Sequence, residues 1–457
     1  MKKTLLLTSL VASMVAIAGT TGSVEGYNEN EATFVKKSDP AIPATFVAKK
    51  TGVKTEVKVN GTGFSFGGDF KAEDLSLGHV EAAKFLDHSK VWAKYELPEL
   101  KGVKSYVQAT AEPKFIGEAT DKGSAELEGQ VSYKYDTLTF SLNSKTNFPF
   151  VKSVGNDNYG KDVKSTHKVF VESEKDKDVF VKGLKDLKVN VEVKHDYAET
   201  VIEVGDRVDY VSGEVSAKYD AVKDLELEGK VAFKKNISGV FIGDYEVLGT
   251  KLFIKGPARY IHSYELKGTY TGVKHLTLSA KPFVTHININ KEGIQGSDLN
   301  REDNVLYGVE LGAEYKMLND KLTLTGKSLL AGRHDKTINE TASDVNQKLV
   351  KKNSGIFVFD ANAKYDYSVT DKFTVSPEAN ANLELLVYKK ANKLVTSPEL
   401  TLTPKVSAEY KPTDTLTLKG SVEVSVKFGE DINKNNNKFE YLQTQLKTSL
   451  NLKYEWK

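Results

Sequence analysis

The sequence predicts an all-β chain folded as a single closed antiparallel barrel of about 18 strands, with 16 as the alternative count. Three observations predict it. Apolar and polar residues alternate with period two over most of the chain after residue 50. Hairpins recur with a shared local signature. The connections alternate between short and long.

The alternation is plainest near the end of the chain. Leu416, Leu418, Gly420, Val422, Val424, Val426 and Phe428 fall on one face, and Thr417, Lys419, Ser421, Glu423, Ser425 and Lys427 on the other. Successive side chains of a strand point to opposite faces, whereas helical spacing would mix the two sets. In the last strand Leu442, Thr444, Leu446, Thr448, Leu450, Leu452, Tyr454 and Trp456 alternate with Gln443, Gln445, Lys447, Ser449, Asn451, Lys453 and Glu455.

Each hairpin places a Tyr in the apolar phase, then a few turn residues, then Leu-Thr-Leu or a near copy. The series is Tyr135, Tyr219, Tyr270, Tyr315, Tyr365 and Tyr410, with weaker members near Tyr95 and Gly183-Leu184-Lys185-Asp186. Eight hairpins supply sixteen strands. An opening strand at Thr55 to Phe66 and the closing strand raise the count to eighteen. Long polar connections are expected at 70–90, 147–177, 236–262, 289–305, 332–355 and 429–439, with briefer ones near 117, 203 and 393.

Composition excludes several function classes. Of 457 residues, 64 are Lys or Arg and 62 Asp or Glu, so no basic surplus points to nucleic acid. A mean hydropathy of −0.39 excludes a helical transporter built from ~20-residue apolar runs. The absence of Cys removes disulfides, thiolate metal sites and thiol chemistry.

The N-terminal segment reads as an address. Lys2 and Lys3 precede an apolar stretch from Leu5 to Ala18 that ends in Ala16-Ile17-Ala18, the layout of a signal peptide over 1–18. Its removal leaves 62 basic against 62 acidic residues. Residues 19–50, polar and containing Pro40 and Pro43, are expected to be an irregular N-terminal segment. Residues 51–457 are expected to form a transmembrane β-barrel.

A soluble sandwich also alternates, so three further features decide for the membrane. One end of every hairpin is short and the other long and polar, as with short periplasmic turns and long outer loops. The Tyr residues share the apolar phase: Tyr307 and Tyr315 bracket Val309, Leu311 and Ala313. Eight residue steps at ~3.3 Å, tilted by ~40°, cover roughly 20 Å, near the ~25 Å apolar band between aromatic girdles. Tyr135, Tyr219, Tyr270, Tyr315, Tyr365, Tyr410, Tyr454 and Trp456 are therefore lipid-interface candidates. The opposite face carries Glu126, Glu128, Glu226, Glu228, Lys230, Glu310, Glu314, Lys405, Glu409, Lys419, Glu423, Lys427 and Lys447 as pore-lining candidates, solvated if that face meets water.

From about residue 50 to the end, the chain resembles the porin-like outer-membrane β-barrels of diderm bacteria. The resemblance is most specific at Leu446, Thr448, Leu450, Leu452, Tyr454 and Trp456, which look like the C-terminal signal of the barrel-assembly machinery. Members of that family usually end on the aromatic, whereas here Lys457 follows Trp456. The resemblance implies an outer-membrane location, contact with outer-membrane lipid and a homotrimer.

Gly63-Phe64-Ser65-Phe66-Gly67 matches the G-x-S-x-G pattern of serine hydrolases but lies within the expected opening strand, not on a strand-to-helix elbow. The eight His are scattered, without H-E-x-x-H or i, i+4 spacing, so no metal and no cofactor is expected. Asp431 to Asn437 alternates oxygen side chains as a Ca²⁺ loop does, but lacks the central Gly and the bidentate Glu, and reads as a solvated loop. Glu73 to His88 is loosely helical, for the rim or the pore mouth. The loop 147–177 is nearly charge-balanced, so a constriction built from it would carry little net charge.

The functional expectation is a non-enzymatic channel for passive diffusion of small hydrophilic solutes. The alternative is a surface structural or adhesion protein acting through its outer loops, and a third reading is a soluble exported β-repeat protein.

Overall fold

The computed structural model describes residues 19–35, 45–76, 89–113, 123–150, 163–197, 207–238, 241–245, 254–290, 300–339, 349–390, 393–430 and 439–456. These residues form one antiparallel sheet of 22 strands. The first seven are β1 (Thr20–Val35), β2 (Thr45–Val59), β3 (Phe64–Ser76), β4 (Lys90–Leu100), β5 (Val103–Pro113), β6 (Gly123–Tyr135) and β7 (Leu138–Pro149). There follow β8 (Lys164–Ser173), β9 (Leu184–Tyr197), β10 (Arg207–Val222), β11 (Leu225–Ser238), β12 (Phe241–Tyr245), β13 (Ile254–Val273) and β14 (Leu276–Asn290). The last eight are β15 (Asn300–Met317), β16 (Leu322–Asn339), β17 (Leu349–Tyr365), β18 (Tyr367–Thr370), β19 (Phe373–Lys390), β20 (Lys393–Thr413), β21 (Leu416–Glu430) and β22 (Phe439–Trp456).

The sheet closes on itself, because β1 pairs with β2 on one side and with β22 on the other. Two staves are interrupted: β11 and β12 share the neighbour β13, and β17 and β18 share β19. The ring therefore has twenty staves, a correction to the expected 18 and the alternative 16.

The discrepancy lies wholly at the N-terminus. Residues 19–50 were expected to be irregular, yet they hold β1 and the start of β2. The expected opening strand, Thr55 to Phe66, is the end of β2, a turn at residues 60–63 and the start of β3. Pairing with β22 puts Gly22, Gly26, Asn28 and Asn30 in the phase of Leu452, Leu450 and Thr448. Those residues carry no apolar side chain, so period two is invisible, and the strand is held by its two neighbours' backbone groups.

Elsewhere the strands run further than the alternation showed. β8 lies inside the expected loop 147–177, and β13, β15, β16 and β17 each extend into an expected loop. Beyond an apolar band both faces of a strand meet polar surroundings and need no alternation. The signal peptide, Pro40 and Pro43, most of the Glu73 to His88 stretch and Asp431 to Asn437 lie outside the described residues.

The short turns follow their chemistry. Lys101 and Gly102 both take positive φ, 51° and 81°, as a two-residue I′ hairpin requires. Asp136, Asp224 and His275 take positive φ in the turns after β6, β10 and β13. Gly63 has φ 72°, and a Cβ there would lie 2.2 Å from the Glu96 carbonyl oxygen. The first glycine of the G-x-S-x-G match is thus required by the β2–β3 turn, and the remainder of the match is strand.

Candidate functional site: the polar phase of the ring

Register sorts every stave into two phases. The thirteen charged residues expected to line a pore all fall in one of them. Glu126 and Glu128 share it with Asn147 and Lys145, Lys230 with Ser216 and Glu265, and Glu310 with Lys281 and Leu329. Lys405 and Glu409 face Glu423 and Lys419 across β20–β21, while Glu423 faces Lys447 across β21–β22. Tyr135, Tyr219, Tyr270, Tyr315, Tyr365, Tyr410, Tyr454 and Trp456 fall in the other phase.

Most of the charges are paired with their cross-strand neighbours. Glu126 meets Lys145 at 2.8 Å, Lys230 meets Glu214 at 2.7 Å, and Lys427 meets Glu399 at 2.8 Å. Glu310 lies 3.5 Å from Lys281 and Glu226 3.7 Å from Lys218, while Glu314 pairs within its own strand, 3.4 Å from Lys316. Glu423 sits between Lys405 at 3.8 Å and Lys447 at 3.9 Å, and Glu409 lies 2.8 Å from Lys419. Glu128 accepts from the Tyr106 hydroxyl at 2.6 Å and from the Asn143 amide at 2.9 Å. Glu228 faces Lys267 in register and completes the band. Opposite charges on adjacent strands are the sheet's counterpart of a helical i, i+4 pair. The result is a surface rich in charge and close to neutral over short distances.

Exposure separates the phases in an informative direction. Glu126, Glu128, Glu226, Glu228, Lys230, Glu310, Glu314, Lys405, Glu409, Glu423 and Lys427 are only half-buried despite their length; Lys419 and Lys447 are exposed. Short aliphatics of the other phase are more open, with Val107 at 47%, Leu127 at 50% and Val406 at 50%. Tyr135, Tyr219, Tyr270, Tyr315, Tyr410 and Tyr454 are exposed, whereas Tyr365 and Trp456 are half-buried.

The polar phase also holds something the alternation did not reveal. Phe283, Ile287, Leu306, Leu329 and Ile356 form a buried cluster, flanked by Ile261, Ala331, Val358 and Leu386. Register puts Ile261 against Ile287, Phe283 against Gly308, Ala331 against Ile356, and Ile356 against Leu386. All belong to the phase of Glu310 and Lys327. Asn304, next to Ile287 in the register, is fully buried, and neither its amide nitrogen nor its oxygen has a hydrogen-bond partner. The sequence carried a signal for this cluster. Leu329-Leu330-Ala331 and Ile356-Phe357-Val358-Phe359 are unbroken apolar runs, the pattern of a strand covered on both faces.

The histidines are less scattered than their sequence positions suggested. His262 faces His286, which faces Val305, which faces His334, so three imidazoles share one row in the apolar phase. Among the described residues no three His, Asp or Glu side chains converge as metal ligands.

No family model matches the chain, and no curated protein matches it. Among solved structures, it is similar to OccAB2 of Acinetobacter baumannii at 9% identity, covering 96% of this chain and 99% of that one, with a TM-score of 0.44. It is also similar to OmpT, an outer membrane protein of Vibrio cholerae in its trimer form, at 10% identity over 96% and 100% of the two chains, TM-score 0.36. A third is the outer membrane channel DcaP of Acinetobacter baumannii, at 12% identity over 96% and 99%, TM-score 0.33. Such distant likenesses transfer no substrate or partner, and the barrel assignment rests on the closed register itself.

Proposed function

We propose that the chain is a porin-like channel of a bacterial outer membrane, passing small hydrophilic solutes by diffusion along the polar phase. The observation that carries this reading is the closed ring of twenty staves whose one phase is charged, save for the aliphatic sector around Leu306. Long charged side chains that are half-buried beside exposed valines fit a concave surface, where side chains crowd, facing a convex one, where they splay. On that reading the carboxylates and ammonium groups remain in water and the aliphatics meet acyl chains.

Twenty strands ~4.8 Å apart and tilted ~40° make a round ring about 40 Å across at the backbone, too wide for side chains alone to fill. Because the charges alternate and pair, the bore discriminates weakly between small cations and anions. The buried aliphatic cluster makes one sector of the wall apolar and narrows the aqueous path on that side. Contact with outer-membrane lipid, insertion by the barrel-assembly machinery through the last strand, and assembly as a homotrimer belong to the same proposal.

Planar-bilayer recording of refolded protein tests it. Stepwise ohmic insertions with a near-unity permeability ratio for potassium over chloride are expected. Refolded, heat-modifiable protein that never conducts would remove the channel reading.

A further inference from the structure

The apolar phase of β10, β11, β13 to β17 and β19 carries a groove of about 1130 Å³. Its floor is made by residues with little or no side chain, Ala217, Gly229, Gly332 and Gly355, and Tyr264 and Tyr307 stand in its walls. At Gly229 a Cβ would meet nothing within 4 Å, and at Gly355 its nearest neighbour is 3.5 Å away. The depression is therefore open over Gly229 and Gly355, whereas over Gly332 the Tyr307 ring already covers the backbone, a Cβ there lying 2.8 Å from it. It spans eight staves, roughly 34 Å at ~4.8 Å per interval.

The row above it is polar. Tyr264, Val284, Tyr307, Gly332 and Gly355 face one another in register. Two residues along the strands towards the long connections, about 7 Å away, lie His262, His286 and His334. Two residues beyond His334 is Lys336, which faces Asp303 on one side and Lys351 on the other in register. The ring of Tyr260 lies 5.3 Å from that of His262 and 5.5 Å from that of His286. His286 is 3.6 Å from Asp303, and His334 Nδ1 is 2.6 Å from Asn353 Oδ1. Three imidazoles, a phenol and the Lys336 ammonium, with the Asp303 carboxylate among them, thus border an apolar groove along one edge.

We propose that the groove and its rim form a binding site for an acylated, phosphate-bearing membrane lipid. The acyl chains lie in the groove over Gly229 and Gly355, and the phosphate meets part of the row His262, His286, His334 and Lys336, which runs about 14 Å across three strand intervals. This rests on the reading that the apolar phase faces the bilayer, and is independent of whether the bore conducts. Close packing favours filling the depression with chains, since a void leaves its lining without dispersion partners. Imidazole N–H and ammonium groups donate charge-assisted hydrogen bonds to phosphate oxygens. A second copy docking through the same patch in a two-fold dimer would bring this basic row against its own like, which disfavours it.

Native mass spectrometry of the full-length refolded protein in detergent tests the site, with dioleoyl phosphatidic acid and dioleoylglycerol as probes. The unmodified protein should retain phosphatidic acid at about tenfold lower concentration than dioleoylglycerol. The variant H262A/H286A/H334A/K336A should bind the two lipids alike. G229L/G355L, which fills the groove, should lose retention of both while keeping heat-modifiable mobility. No preference for phosphate in the unmodified protein, or undiminished retention by the filled variant, overturns the proposal. If the filled variant does not fold, a p-benzoylphenylalanine at Leu330 decides the matter: a lipid adduct supports the site, and a protein–protein adduct assigns the groove to a second copy.

Discussion

Truncating Leu306 to Ala separates a packed apolar sector from a wetted one. Leu306 has 0% of its surface exposed and belongs to the cluster with Phe283, Ile287, Leu329 and Ile356. The substitution removes three carbon atoms, about 2.4 kcal/mol of transfer free energy at ~0.8 per methylene. A cavity that does not collapse adds to this, so the expected loss is about 3–4 kcal/mol. Were the same side chain lining open water, its removal would cost nearly nothing. The assay is urea unfolding of the refolded barrel in micelles, following tryptophan emission and gel mobility. Leu127→Ala, on the exposed face, is the control and should change stability by less than about 1 kcal/mol. A Leu306→Ala variant that unfolds within ~0.5 kcal/mol of the parent would show that the cluster is not packed, and the apolar sector would have to be abandoned.

Three other expectations follow from single contacts. Glu423→Gln leaves Lys405 and Lys447 facing a neutral amide, so the bore should shift towards chloride in reversal-potential measurements; stability should change by no more than about 1 kcal/mol. Glu174, in the connection after β8, is held below the ordinary carboxyl value of 4.5 by its hydrogen bond to Lys134 and the charge of that ammonium. Its contribution is fully present above that value and lost as the pH falls below it, and carboxyl-carbon NMR should show a depressed titration that Lys134→Ala returns to normal. A Cβ on Gly22 would lie 2.2 Å from the Glu56 carbonyl oxygen and 2.5 Å from the Trp456 ring, so Gly22→Ala should cost about 1–3 kcal/mol and red-shift the Trp456 emission. An unchanged spectrum and unfolding midpoint would contradict that placement.

What the sequence disclosed, and what it hid, follows from burial. Tyr219 with Leu225, Tyr270 with Leu276, and Tyr410 with Leu416 each mark a hairpin that the structure forms, because an apolar face against a charged one leaves a period-two trace. β1 left none: its glycines and asparagines are recruited by two flanking strands and not by its own pattern. The charged residues were legible because each alternates with an aliphatic neighbour. The cluster around Leu306 was obscured because a strand apolar on both faces loses its alternation, although its unbroken runs are visible in retrospect. His262, His286 and His334 come together only through cross-strand register, which spacing along one chain cannot express.

The junction of β1 with β22 has a kinetic corollary. Its fourteen facing pairs, from Gly22 with Trp456 to Val35 with Gln443, join residues more than 400 positions apart. Every other stave meets its neighbour through a connection of about 15 residues or fewer, so local hairpins have a head start and this seam is the slowest contact to find. Until it forms, the growing sheet has two unsatisfied edges, each able to recruit a strand from another molecule. Aggregation during refolding is thus expected to depend on how quickly the circle is completed, more than on the stability of any single hairpin.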